Sequence, residues 1–152
     1  MKKQIILTIL AAILTILFVY TASEKIFNTR DFHGAMDKQP LPEWLKAILL
    51  ITLPILEYLV AILFISPKTW RIGFAASTVL MFAFTIYVGL GLAHAFKYVP
   101  CTCGGVFRDM SWQNHFILNL GLLAIAVTGL WITRKKVPSE KKESKKTTIQ
   151  YS

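Results

Sequence analysis

Four stretches of the chain are almost wholly apolar, Ile5 to Ala22, Ala47 to Ile65, Ile72 to Phe96 and Phe116 to Thr133, with the polar residues crowded between them. Each is 18 to 25 residues long, and a helix crosses the hydrocarbon core of a bilayer with about 20. The pattern predicts an all-α integral membrane four-helix bundle with spans at 5–22, 47–65, 72–96 and 116–133. Gly73, Ser77, Gly89, Gly91 and Ala95 in the third span, and Gly121 in the fourth, are small residues that let neighbouring helices approach closely.

The segments between the spans are short. "SEKIFNTRDFHGAMDKQPLPEW" mixes charges with Phe27, Phe32, Met36 and Trp44 and predicts a partial amphipathic helix on the membrane surface, halted by Pro40 and Pro42. "SPKTWR" suits the turn of an antiparallel helix pair, with Trp70 at the interface. Beyond Thr133, "RKKVPSEKKESKKTTIQYS" has almost no apolar content and predicts a disordered basic tail, 134–152, drawn to anionic headgroups.

Composition agrees with one membrane domain, 1–133, and a tail: 55% of the 152 residues are hydrophobic and 16% charged, the proportions of a membrane protein. The first stretch follows Lys2 and Lys3 and has Ala22 and Ser23 near its end, as a secretory signal does. Its apolar core exceeds the ~7–15 residues of a signal and three more spans follow, so it is read as an uncleaved first helix.

The net charge of +9 is not that of a nucleic-acid-binding surface, because the basic residues cluster at the membrane edges. Four spans place both termini on one side, which then holds 11 Lys and Arg against 6 on the other. The positive-inside rule makes that side cytoplasmic. The 97–111 segment, and with it the sequence "YVPCTCGGVF", falls on the outer face.

Both cysteines, Cys101 and Cys103, lie in that segment. An outward thiol meets an oxidising compartment, and a ring closed between residues two apart is strained and too small to add much stability. Such a pair reads better as a redox couple than as a staple. Gly104 and Gly105 supply backbone freedom, and Lys97, Arg108 and the start of the fourth helix favour a thiolate. Two alternatives stay open behind the redox reading: the thiolates also suit Cu(I), though no Met- or His-rich run accompanies them, and incidental thiols or an inert bridge would have the same sequence.

Other polar residues are candidates for supporting roles. Glu57 sits in mid-span, where an ionised carboxylate costs roughly 2.5–3.5 kcal/mol, which predicts a paired, neutral or cavity-facing group; Pro54 one turn earlier removes a helix hydrogen bond. Lys25 closes the first span and either pairs with a carboxylate or snorkels to the headgroups. His94, seven residues before Cys101, has the chemistry of a base for thiol exchange. Asn119, which with His115 begins the fourth span, suits a hydrogen bond across helices.

Taken together, "YTASEKIFNTRDF", "PILEYLVAILFISPKTWRIGF", "YVPCTCGGVF" and "SWQNHFILN" resemble the MauE branch of the DoxX-like membrane proteins, over about Ile5 to Thr133. The resemblance implies a bacterial inner-membrane protein associated with redox chemistry. Methylamine-utilisation members are linked to maturation of a disulfide-rich periplasmic enzyme subunit, and other DoxX-like members to quinone-coupled sulfur oxidation. Carried onto this chain, it favours Cys101 and Cys103 as the redox pair, with Glu57 and Lys25 shaping a site. A thioredoxin-like or disulfide-containing periplasmic protein is the implied partner. This chain has a single cysteine pair, whereas a thiol oxidase relaying electrons between two pairs needs another, so it would use quinone directly or work with a partner. The contrasting reading is a non-catalytic assembly or docking factor for a periplasmic client.

Overall fold

The protein, described by a computed structural model over residues 2–93 and 111–134, places a helix on each of the four apolar stretches and a fifth, short one between the first two. These are α1 (Lys2–Phe27), α2 (Thr29–Asp37), α3 (Glu43–Leu63), α4 (Trp70–Leu92) and α5 (Trp112–Arg134), with no strand among the described residues. The expected continuation of the third span to Phe96 and the whole 135–152 tail lie outside the described residues.

The helices reach beyond the purely apolar runs because their ends are specified by polar residues. Pro42, with φ −59° and ψ 144°, caps α3, and Glu43 occupies its first turn, where a carboxylate complements the helix dipole. At the other end of α3 the Thr69 hydroxyl donates to the Leu63 carbonyl at 2.6 Å and the Trp70 indole to the Phe64 carbonyl at 2.8 Å. Those bonds satisfy carbonyls that would otherwise be orphaned at a helix end.

α1 packs mainly on α3 and α4 mainly on α5, so the bundle is two antiparallel hairpins set side by side. Leu14 and Phe18 of α1, Val60 and Ala61 of α3, Phe74 and Met81 of α4, and Leu122 and Ala126 of α5 fill the interior. Glycines set the closest approaches. Gly73 lies against the Phe64 ring and Gly89 against Phe116, and Gly129 receives one side of the Phe74 ring, its Cδ1, Cε1 and Cζ, so closely that any Cβ there would overlap the ring. Phe64 and Phe74 meet edge to face, their centroids 5.0 Å apart. Gly121, expected to mediate a close approach, has nothing within 4 Å of where its Cβ would stand, because it points away from the bundle.

Only 17 to 28% of each span's most apolar stretch is buried, and rows of Ile, Leu and Val remain exposed on all four helices. Surface of that kind and extent needs a hydrocarbon solvent. The molecule is a multi-pass membrane protein.

α2 departs from expectation. Its helix ends at Asp37, before Pro40, and Phe32 and Met36 are buried against the bundle. The break lies at Asn28, whose backbone (φ −106°, ψ 45°) leaves the helical range even though its amide still donates to the Glu24 carbonyl of α1 and its own carbonyl accepts from Phe32. α2 therefore leaves α1 through a kink and folds over the neighbouring end of the bundle.

Candidate functional site

Lys25, in the last turn of α1, points back along its helix as helical side chains do and donates to the Thr21 carbonyl at 3.3 Å. That direction carries its ammonium into the bundle. There it meets both oxygens of Glu57, at 2.8 and 3.0 Å, and the two side chains are 3% and 2% exposed. Two residues earlier on α1 and one later on α3, the Ser23 and Tyr58 hydroxyls bond at 2.7 Å and fix the same register of α1 on α3. Two opposite charges withdrawn together from solvent persist only if each satisfies the other, and this near-symmetrical contact does so. The Phe32 ring covers the ammonium, its centroid 6.0 Å away.

The ion pair borders a cavity of about 360 Å³. Its walls are largely apolar, from Leu17 and Phe18 on α1, Leu49, Leu53 and Leu56 on α3, Leu80, Met81 and Phe84 on α4, and Leu118 and Leu122 on α5. Met36, Gln39 and Leu41, from α2 and the link after it, close it from above. Polar groups reach it from Thr21, Lys25, Glu57, Tyr87, His115 and Asn119. Asn119 is 6% exposed, and its Nδ2 finds no hydrogen-bond partner among the described residues. A buried amide left in that condition costs roughly 1–3 kcal/mol. An uncharged ring bearing carbonyl oxygens, which is what a quinone presents, fits both the walls and this amide.

The structure therefore brings Lys25, Glu57 and Asn119 to one cavity. Cys101, Cys103 and His94 lie outside the described residues, in the segment that joins α4 to α5. Both attachment points of that segment, Ala93 and Ser111, are at the α2 end of the bundle. Sequence reasoning gave no special role to Gln39, Tyr87 or Lys46. Lys46, 7% exposed, donates to the Asp37 carbonyl at 3.0 Å and to Glu43 at 2.8 Å, tying the end of α2 to the first turn of α3. The only available signal was the absence of a basic residue in the last turn of α2 itself, which leaves the end of the helix dipole to be met from elsewhere.

Fold and cavity define a class: a four-span helical membrane protein whose interior holds a buried ion pair beside an apolar chamber. Within that class the chain belongs to the MauE family. The model of the family described as "Methylamine utilisation protein MauE" matches residues 3–132. The chain is also similar to the methylamine utilization protein MauE of Methylorubrum extorquens (strain ATCC 14718 / DSM 1338 / JCM 2805 / NCIMB 9133 / AM1), with 26% identity over 136 residues, which cover 87% of this chain and 72% of the relative. No solved structure matches the chain.

Proposed function

We propose that the protein is a membrane accessory of an exported oxidoreductase system, of the kind that methylamine utilisation requires, and that it exchanges disulfides with a client through Cys101 and Cys103. The observation that carries this reading is placement. The chain's only two cysteines fall in the sequence between Ala93 and Ser111, which follows α4 and precedes α5, the helix ends on the same side of the bundle as α2, and Met36 of α2 lines the chamber that Lys25, Glu57 and Asn119 reach. Membership of the MauE family supports an accessory role.

In the exchange, a client thiolate attacks one sulfur of the Cys101–Cys103 disulfide and displaces the other as a thiolate. The second client thiol then resolves the mixed disulfide. The client is oxidised and the Cys101–Cys103 pair is reduced by two electrons, so turnover requires an acceptor of two electrons and two protons. A quinone, when bound, supplies that capacity. The chain's own residues hold the site for it: Asn119 offers a hydrogen bond, the Lys25–Glu57 pair keeps the polar end neutral, and the leucine walls exclude water. Both termini are assigned to the cytoplasm and the cysteines to the outer face, on the distribution of basic residues.

Trapping tests the exchange. Cys101→Ser and Cys103→Ser, made separately and quenched in acid, each leave a lone thiolate that attacks the disulfide of the oxidised client, displaces one client sulfur as a thiolate, and has no neighbouring thiol to resolve the mixed disulfide. One variant should accumulate a reductant-sensitive adduct more than the other, since only one sulfur faces the client. Absence of any adduct in both, with full physiological output from the double variant, sinks the exchange and leaves the docking role.

A further inference from the structure

The chamber itself says what class of molecule belongs in it. At about 360 Å³ it is in the range of small-molecule sites, roughly 300–1,000 Å³. Water is a poor occupant: a space of that size would hold on the order of ten molecules, each needing two to four polar partners, and most of the wall is leucine, phenylalanine and methionine. A charged ligand is equally poor, because Lys25 already spends its ammonium on both Glu57 oxygens. Any ion entering would face the desolvation cost with no free counter-charge from that pair. Asn119 Nδ2, in the chamber's lining, is a buried N–H donor with no partner among the described residues.

The route in is lateral. Leu56 of α3 and Ala83 of α4 both line the chamber and both are exposed. Ala83 lies nine residues inside the end of α4 at Leu92, or ~13 Å at 1.5 Å per residue, within the apolar length of the span. α3 and α4 belong to different hairpins and pack on each other far less than on their own partners. Leu56 and Ala83 are thus lining residues on helix faces that meet lipid tails in a bilayer.

We propose that this chamber binds an uncharged, bilayer-soluble molecule through a carbonyl oxygen that accepts a hydrogen bond from Asn119, and that the molecule enters between Leu56 and Ala83. Two sources carry that chemistry, a quinone ring and the ester of a glycerolipid. The proposal deepens the redox reading only if the occupant is a quinone, and its geometry is independent of the cysteines.

The experiment uses the full chain purified in detergent and three probes: decylubiquinone, 1,2-dioctanoylglycerol and decane. Binding is read as a one-to-one adduct in native mass spectrometry and as a rise in the thermal unfolding midpoint. A carbonyl probe should give both signals and decane neither. Asn119→Leu should weaken the retained probe about tenfold, the worth of one such hydrogen bond. Ala83→Phe, a change on an exposed rim that leaves the core intact, should block the adduct with Asn119 still present, and it decides the matter if Asn119→Leu does not fold. Retention of decylubiquinone identifies a quinone site, and retention of the glycerolipid alone identifies a lipid site. Decane binding as well as the carbonyl probes, no probe binding, or binding unchanged in both variants overturns the proposal. The cysteine traps fail or succeed separately, so loss of the exchange reading and loss of this site are distinguishable.

Discussion

Lys25 and Glu57 show what a bilayer does to a pair of charges. Removing one partner strands the other in the interior at a cost of about 3–5 kcal/mol, whereas replacing both by apolar groups of similar size is often neutral or stabilising. Lys25→Met and Glu57→Met should each lower the unfolding free energy in detergent by about that amount. The double variant should recover most of it, a coupling that a double-mutant cycle reads directly. Two independent, additive losses would show that the pair is not a unit. Glu57 was legible in the sequence because an acid in mid-span demands an explanation, and Lys25 because it closes the preceding span. Which of Lys25's two fates applies was not legible: pairing and snorkelling differ only in the rotation of α1, which no local pattern records. Asn119 was legible only as a polar residue near a span end; that its amide faces a chamber depends on the other three helices.

At the scale of the helix, packing is decided by single positions. Gly129 lets α5 accept the buried Phe74 ring of α4, and an added methyl would overlap it. Gly129→Ala should therefore cost about 1–3 kcal/mol as overpacking. Gly121→Ala, on the same helix with open space around it, should stay within about 0.5 kcal/mol of the parent. Thermal unfolding of the two variants side by side checks the contrast, and equal effects would place the α4–α5 contact elsewhere. Small residues drew notice in the sequence at Gly73, Gly89 and Gly121 but not at Gly129. Composition marks a small residue, while only the register of one helix against another tells which has a ring above it. α2 teaches the same lesson. Its amphipathic character was plain from Phe32 and Met36 among charges, yet the surface it covers is the bundle, because Asn28 continues the hydrogen bonding of α1 and Lys46 holds the far end.

For the whole molecule, span number and helical class were legible because a bilayer imposes a length on any run that crosses it. The pairing of α1 with α3 and of α4 with α5 was open to less direct reading, since all four spans are apolar around most of their circumference and single polar positions such as Glu57 and Asn119 do not name the helix they face. Orientation is the remaining large-scale property. With both termini in the cytoplasm, an impermeant thiol reagent applied to intact cells after mild reduction should label Cys101 and Cys103. Labelling only after the membrane is broken would reverse the assignment.

The side-by-side hairpins also bear on how the chain is made. Both members of the ion pair belong to the first hairpin, and the second carries no Lys, Arg, Asp or Glu between Arg71 and Arg134 in its described residues. Segments near the N-terminus leave the ribosome first, so α1 and α3 are available to each other before α4 and α5 exist. Glu57 can then enter the bilayer already neutralised by a neighbour translated 32 residues earlier, sparing the translocon an isolated carboxylate at roughly 2.5–3.5 kcal/mol. In this order of synthesis Lys25 reaches the membrane ahead of the carboxylate it pairs with, and α4 and α5, whose described residues carry no Lys, Arg, Asp or Glu between Arg71 and Arg134, follow a first half in which that charge is already matched.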